Sequence, residues 1–367
     1  RQSNGVTVLY SITPSLERQT LSLEKNTMPM SPREVVRAAV QFQTPDRLPV
    51  RMYAIGYDDF AGVSLRLDSE RAVKGIGPDE WGCVWGKTDV KNMGQVVGHP
   101  IRSLDQIDSY PFPNPNDPAV LNRVKETIDK NKTANRYVVV DQFMILFERM
   151  HSLIGFKECL QYLATEPDAM ARLAERIVEF DIKRLRLVGD KYGSAIDAYG
   201  GTDDWGTQID SFISPKMWRN FFLPRYQRIC DACKDYGWNV HLHSCGKVNR
   251  LLPLMREAGI DTVNLQQPRA LGIKEVGAAM RGKICFDSLA DIQKTLPSGD
   301  VSEIEKDADA LLSQWAAPSG GFILSDYGDG EAIGASNDAK KTMLRAFLDR
   351  DPYAKKSGVR HPAFEIL

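Results

Sequence analysis

Residues 238–267 read WNVHLHSCGKVNRLLPLMREAGIDTVNLQQ. A β-branched and aromatic run, WNVHLHS, is followed by a helical pattern and then by a second such run, IDTVNLQ. Strand, helix and strand in that order make a βα unit whose two strands lie parallel. The same rhythm extends outward in both directions. LPVRMYA (48–54), RYVVVDQ (136–142), AIDAYGG (195–201), KICFDS (283–288) and GGFILSD (320–326) read as further strands. Helical patterns separate them, over 167–191 and in SPKMWRNFFLPRYQRICDACKDY for example. Most of these runs end in small or polar residues, among them Asp141-Gln142, Gly200-Gly201-Thr202-Asp203-Asp204, Asn264-Gln266-Gln267, Asp287-Ser288 and Ser325-Asp326-Tyr327. In a (β/α)8 barrel the strand C-termini converge on one mouth, where the chemistry sits. A doubly wound open sheet is the rival, but it places a glycine-rich phosphate loop after its first strand. The nearest such string here, YGDGEAIG, follows the last strand. The sequence therefore predicts an α/β chain folded as a (β/α)8 TIM barrel with its site at the C-terminal mouth.

The chain has 367 residues, a formal net charge of -1 and six cysteines. That length fits one barrel domain over 31–367, preceded by an extension over 1–30 with no signal-peptide layout. A helix is expected from MSPREVVRAAV, with Ser31 as cap, Pro32 in the first turn and Glu34 completing a capping box. The stretch holding DEWGCVWG and PFPNPNDP is rich in turn formers and reads as loop. Near-neutral charge without a basic stripe argues against nucleic acid as a partner. No apolar run approaches the roughly 20 residues that span a bilayer. Scattered cysteines fit reduced thiols and a cytoplasmic location.

His241, His243 and Cys245 fall within five residues of one strand end. Alternate strand residues face the same way, so all three point into the barrel, stepping toward the mouth. Imidazole and thiolate suit zinc. Two ligands do not make a site, however, and a polar strand end satisfied by hydrogen bonds explains the same letters. His241, lying deepest, reads as a packed or supporting group. Cys230 and Cys233 form a CxxC in the last turns of a helix, whereas a redox pair opens one; both read as packing residues, like Cys83, Cys159 and Cys285. Asp203 and Asp204 can do acid/base work, bind a cation or cap a turn. Glu148 starts a helix. Asp326, Tyr327, Asp329 and Glu331 lie in a glycine-flexed loop that either reaches over the mouth with oxygen ligands or is a solvated turn.

The string DDWGTQ…SPKMWRNFFLPRYQRICDACKDYG…VHLHSCGKVNRLLPLMREAGIDTVNLQQP resembles the uroporphyrinogen decarboxylase superfamily, and within it the branch of corrinoid-dependent (methylcobamide) methyltransferases. The resemblance covers most of the chain after residue 30 and implies a barrel with its site at the strand C-termini. Decarboxylases of the superfamily hold a porphyrinogen's carboxylates with an arginine-rich segment near the first strand. Here that stretch is RMYAIGYDDF: Arg51 remains, followed by acidic residues that would repel a polycarboxylate. The methyltransferase branch binds zinc through a His-x-Cys pair and a further cysteine after the last strand. His243 and Cys245 match the pair, while SDYGDGEAIG holds no cysteine. That departure implies either an oxygen ligand, with Asp326 first in line and Asp329, Glu331, Asp203 and Glu148 as other sources, or a site that is not zinc-loaded at all.

The resulting expectation is a zinc-dependent methyltransferase moving a methyl group between a small methylated molecule, such as a methyl ether undergoing O-demethylation, and a corrinoid (methylcobalamin) on a partner protein. The expected metal ligands are His243, Cys245 and Asp326. Asp203, Asp204, Glu148 and Tyr327 are candidate catalytic residues, and Gln267 and Asp287 candidate cofactor contacts. The resemblance also makes a homodimer a common assembly. A decarboxylase acting on a smaller substrate and a non-catalytic corrinoid or tetrapyrrole binder are the alternatives.

Overall fold

A computed structural model describes residues 28–68, 77–87 and 94–367. Residues 1–27, most of the expected extension, lie outside the described residues. Twelve strands are described: β1 Val50–Met52, β2 Tyr57–Asp58, β3 Phe60–Ser64, β4 Gly77–Pro78, β5 Val84–Gly86, β6 Gln95–Gly98, β7 Tyr137–Met144, β8 Ala198–Thr202, β9 Asn239–His243, β10 Thr262–Leu265, β11 Cys285–Ser288 and β12 Phe322–Ser325. Nine of them form one sheet in the order β2-β1-β12-β11-β10-β9-β8-β7-β3. Every neighbouring pair in it is parallel except β1 with β2. The sheet is thus a nearly closed barrel of the expected (β/α)8 kind. Strands β4 to β6 make a separate antiparallel sheet.

The two edges of the barrel sheet, β2 and β3, are joined by the single residue Asp59, and that residue makes the seam. Its backbone N–H donates to the Val50 carbonyl at 2.8 Å and its own carbonyl accepts from Tyr137 N–H at 2.9 Å. Its carboxylate accepts from Val50 N–H at 2.9 Å and from both terminal nitrogens of Arg47 at 2.7 and 2.8 Å. Both side chains are buried, where a charge persists only if it is paired and hydrogen-bonded. The sequence hid this strand: Phe60–Ser64 sits in the stretch read as loop, with Gly62 interrupting its pattern. β1 is also shorter than the expected Leu48–Ala54, because Tyr53–Ile55 winds into a 3-10 turn ended by Gly56 at φ 96°.

The helix Pro32–Val40 starts as expected. Ser31 accepts from Glu34 N–H at 3.3 Å and Glu34 accepts from Ser31 N–H at 2.8 Å. Its Val35, Val36 and Val40 pack on the inward residues Phe60, Tyr137, Val139, Ala198, Cys285 and Ile323. This apolar plug fills the end of the barrel opposite the mouth and leaves the interior open on the other side. Cys230 and Cys233 are buried in the last turns of the helix Leu223–Lys234, and burial pushes the Cys230 thiol up to about 12. Among the described residues no helix is long and apolar enough to cross a membrane.

His361 pins the C-terminal segment beside the seam. Its Nε2–H donates to the Leu48 carbonyl at 2.8 Å and its Nδ1 accepts from Ala363 N–H at 3.0 Å. Burial, with the Arg47 charge adding to it, lowers its pKa to about 4. The ring is therefore neutral when folded and titrates near 6.5 when unfolded. Its contribution is complete above about pH 6.5 and is lost as pH falls toward 4. The unfolding free energies of the wild type and a His361→Gln variant should accordingly draw together by about 2 kcal/mol between pH 7 and pH 5. Denaturant titrations at the two values check this; a gap independent of pH would show that the imidazole does not titrate this way.

Candidate functional site

The mouth leads into a cavity of about 650 Å³. Inward positions of successive strands line it with the two-residue period that the pleat imposes. β9 and the residues after it contribute His241, His243 and Cys245, and β8 with its following loop contributes Gly200, Thr202 and Asp204. Strand register then sets one row of polar groups side by side, because Thr202 pairs with His243, His243 with Asn264 and Asn264 with Asp287. His243 Nδ1 lies 2.6 Å from Asn264 Oδ1, and Asn264 Nδ2 donates to Asp287 Oδ1 at 2.8 Å.

The other imidazole nitrogen faces the site. His243 Nε2 is 3.3 Å from Cys245 Sγ and 3.5 Å from Asp204 Oδ1. One ligand atom from each of Asp204, His243 and Cys245 lies within 4.8 Å of the others. Desolvation pulls the His243 pKa down, but the Cys245 sulfur and the Asp204 carboxylate outweigh it and raise it to about 10. The three groups create a place that favours positive charge.

Asp204 reaches His243 because two loops meet backbone to backbone. Asp203 N–H donates to the His243 carbonyl at 3.0 Å and Lys247 N–H to the Thr207 carbonyl at 2.7 Å. Trp205 N–H donates to Ser244 Oγ at 3.1 Å, and Cys245 N–H to Asp204 Oδ1 at 2.7 Å. The contact requires glycine on both sides. A Cβ on Gly246, whose φ is +78°, would stand 2.2 Å from the Gly206 carbonyl oxygen. Gln267 braces the same loop by accepting from Gly246 N–H at 2.9 Å.

Asp203 and Asp204 are adjacent in sequence but do different things. Asp203 is fully buried and accepts from the backbone N–H groups of Leu146, Phe147 and Glu148 at 3.0, 3.1 and 2.7 Å, and from the Tyr226 hydroxyl. It caps the helix Phe147–Ile154 from outside that helix, supplying the acceptor its first turn lacks. Burial pushes Asp203 up to about 6, with the four donors opposing. The cap carries Glu148 to the cavity wall, where Thr202 donates to its carboxylate. Burial first, then the Asp204 and Asp203 charges, raise Glu148 to about 8.

The remaining expected residues separate. Asp326 lines the cavity but is held by Lys340, with Nζ 3.0 Å from Oδ2 and both side chains buried. Lys340 Nζ also donates to the Tyr327 carbonyl at 2.8 Å. The carboxylate oxygen that lies beside His243 and Cys245 is that of Asp204. Asp329 caps the short helix Gly330–Ile333, and Tyr327 and Asp287 line the cavity. Gln267 serves the loop, while its neighbour Gln266 lines the wall. Asn264 and Asp141 are among the wall residues given no role from the sequence. Both were visible as polar strand ends at inward positions. Asp141 Oδ1 accepts from Phe143 N–H at 2.9 Å, in a kink where Phe143 takes φ 70° and turns into the cavity.

A family model described as uroporphyrinogen decarboxylase (URO-D) matches residues 87–346, well over half of the chain. The methylcobamide:CoM methyltransferase MtbA of Methanosarcina mazei is 21% identical over 190 residues, which cover 51% of this chain and 54% of that protein. The chain thus spans about half the length of the curated relative it matches. A solved structure of a methyltransferase from Methanosarcina mazei superposes with a TM-score of 0.62 at 15% identity, over 88% of this chain and 99% of that one. The superposition shows the barrel fold. The family match establishes that the chain belongs to the uroporphyrinogen decarboxylase (URO-D) family.

Proposed function

We propose that this protein is a zinc-dependent methyltransferase that moves a methyl group between a small methylated molecule, such as a methyl ether, and a corrinoid carried by a partner protein. The observation that carries the reading is the meeting of Asp204, His243 and Cys245 on the cavity wall. Nitrogen, sulfur and oxygen donors are the ligand types zinc takes. Tetrahedral bonds of about 2.0–2.3 Å separate ligand atoms by roughly 3.3–3.7 Å, and the contacts from His243 Nε2 to Cys245 and Asp204 are 3.3 and 3.5 Å. Three protein ligands leave the fourth position for a substrate, the pattern of catalytic rather than structural zinc. The similarity to a methylcobamide:CoM methyltransferase supports the choice of reaction.

Zinc held there would supply Lewis acidity, drawing electron density from the heteroatom that carries the methyl group. The chain's own residues manage the rest. In the metal-free site burial raises the Glu148 pKa, and the hydroxyl of Thr202 donates to its Oε2, so this carboxyl group is placed on the cavity wall to give or take a proton. If a corrinoid accepted the methyl group, the substrate oxygen would keep the bonding pair, and Glu148 is the wall residue that would give it a proton. Water would then reprotonate Glu148. The wall charges oppose the decarboxylase alternative with a porphyrinogen. They include Asp141, Asp204, Asp287, Asp326 and Asp329, while Arg51 is the single Lys or Arg among the described lining residues.

Zinc-loaded protein mixed with free cob(I)alamin and a panel of methyl ethers, thioethers and methylamines tests the reading. The expected result is conversion to methylcobalamin with stoichiometric release of the demethylated product. Absence of transfer from every donor class, or carbon dioxide released from a carboxylated ligand without corrinoid, would overturn it.

A further inference from the structure

We propose that Asn264 is the positioning residue of the metal site: it fixes which nitrogen of His243 faces the metal, and Asp287 in turn fixes Asn264. The inference rests on the zinc reading given above.

The direction of each hydrogen bond follows from which groups are able to donate. Asn264 Nδ2 lies 2.8 Å from Asp287 Oδ1 and 3.2 Å from the Asp287 carbonyl, and both partners are acceptors. Only the NH2 end of the amide can face them, since the reversed amide would set oxygen against a carboxylate. Oδ1 is then the end left facing His243, at 2.6 Å. An amide oxygen only accepts, so His243 Nδ1 carries the hydrogen. Nε2 thereby becomes the nitrogen offered to Cys245 and Asp204. Imidazoles that bind metals commonly donate their second N–H to such a partner, which orients the ring and raises its basicity.

The chain is a product of sheet register and not of a flexible loop. His243, Asn264 and Asp287 are direct partners on three adjacent parallel strands. Asp287 is buried, and the Arg51 guanidinium lies 3.8 Å from its free oxygen. Carboxylate, amide and imidazole therefore form a row whose polarity is set at Asp287 and read out at Nε2.

The test measures zinc affinity by chelator competition and the visible spectrum of cobalt(II)-substituted protein. Asn264→Leu should weaken zinc on the order of 10–100-fold and change the cobalt spectrum. Asn264→Asp should also weaken it, because two carboxylates would then face each other. Combining Asn264→Asp with Asp287→Asn exchanges the groups and restores both hydrogen bonds, so this pair should return to within about threefold of the wild type. A purely structural role for Asn264 does not predict that recovery. The exchanged pair also decides the matter should Asn264→Leu fail to fold. Failure of the wild type to hold zinc would defeat the metal reading itself. A wild type that holds zinc, with Asn264→Leu equally tight and spectrally unchanged or the exchanged pair no better than Asn264→Asp, would defeat the positioning role alone.

Discussion

An Asp204→Ala variant is expected to bind zinc on the order of 100-fold more weakly than the wild type, whereas Asp326→Ala should stay within about threefold. The first substitution removes the carboxylate oxygen 3.5 Å from His243 Nε2 and the acceptor that holds Cys245 N–H at 2.7 Å. A hundredfold change corresponds to about 2.7 kcal/mol, the scale of one lost ligand that water partly replaces. Asp326 already spends its charge on Lys340. Its removal strands a buried ammonium, and breaking such a pair costs about 3–5 kcal/mol of stability. The two variants should therefore show opposite profiles, one weak in metal and well folded, the other metal-competent and poorly stable. Chelator competition and denaturant unfolding on both proteins read this directly. Equal losses of zinc, or a larger loss in Asp326→Ala, would assign the third ligand to the other loop.

The second large effect is expected at Asp203, and it is an effect on folding. Asp203→Ala leaves the backbone N–H groups of Leu146, Phe147 and Glu148 and the Tyr226 hydroxyl without their acceptor. Each buried donor left unsatisfied costs about 1–3 kcal/mol, and water entering the vacated space recovers part of it. A net loss of roughly 3–5 kcal/mol follows, a large share of the 5–15 kcal/mol that typically holds a domain. Asp203→Asn keeps one oxygen acceptor and should recover about half. Urea titration gives the numbers. A loss below about 1 kcal/mol in the alanine variant would mean the helix Phe147–Ile154 does not depend on this cap, and Asp203 would return to candidacy for chemistry.

These two aspartates show where the sequence is legible and where it is not. His243 and Cys245 are two residues apart on one strand end, so local period alone places them on one face. Asp204 is 41 residues away from Cys245 and arrives through a contact between backbones at Gly206 and Gly246, which no local pattern reports. Asp203 and Asp204 differ by one residue, and in an extended chain that is enough to turn one carboxylate toward the helix Phe147–Ile154 and the other toward the cavity. Asp326 looked available because its partner Lys340 lies in a helix 14 residues later. The same rule explains the fold. Seven barrel strands show in the sequence as short runs of mostly buried residues rich in β-branched, aromatic and other apolar side chains. β3, interrupted by Gly62 and only partly buried, carries no such run and is fixed by the Arg47–Asp59 seam instead.

Diffraction from crystals of zinc-loaded protein, collected on both sides of the zinc absorption edge, tests the site without reference to any substrate. One anomalous peak bounded by Asp204 Oδ1, His243 Nε2 and Cys245 Sγ is the expected result. A peak seated on Asp326, or none at these three residues despite added zinc, would contradict it.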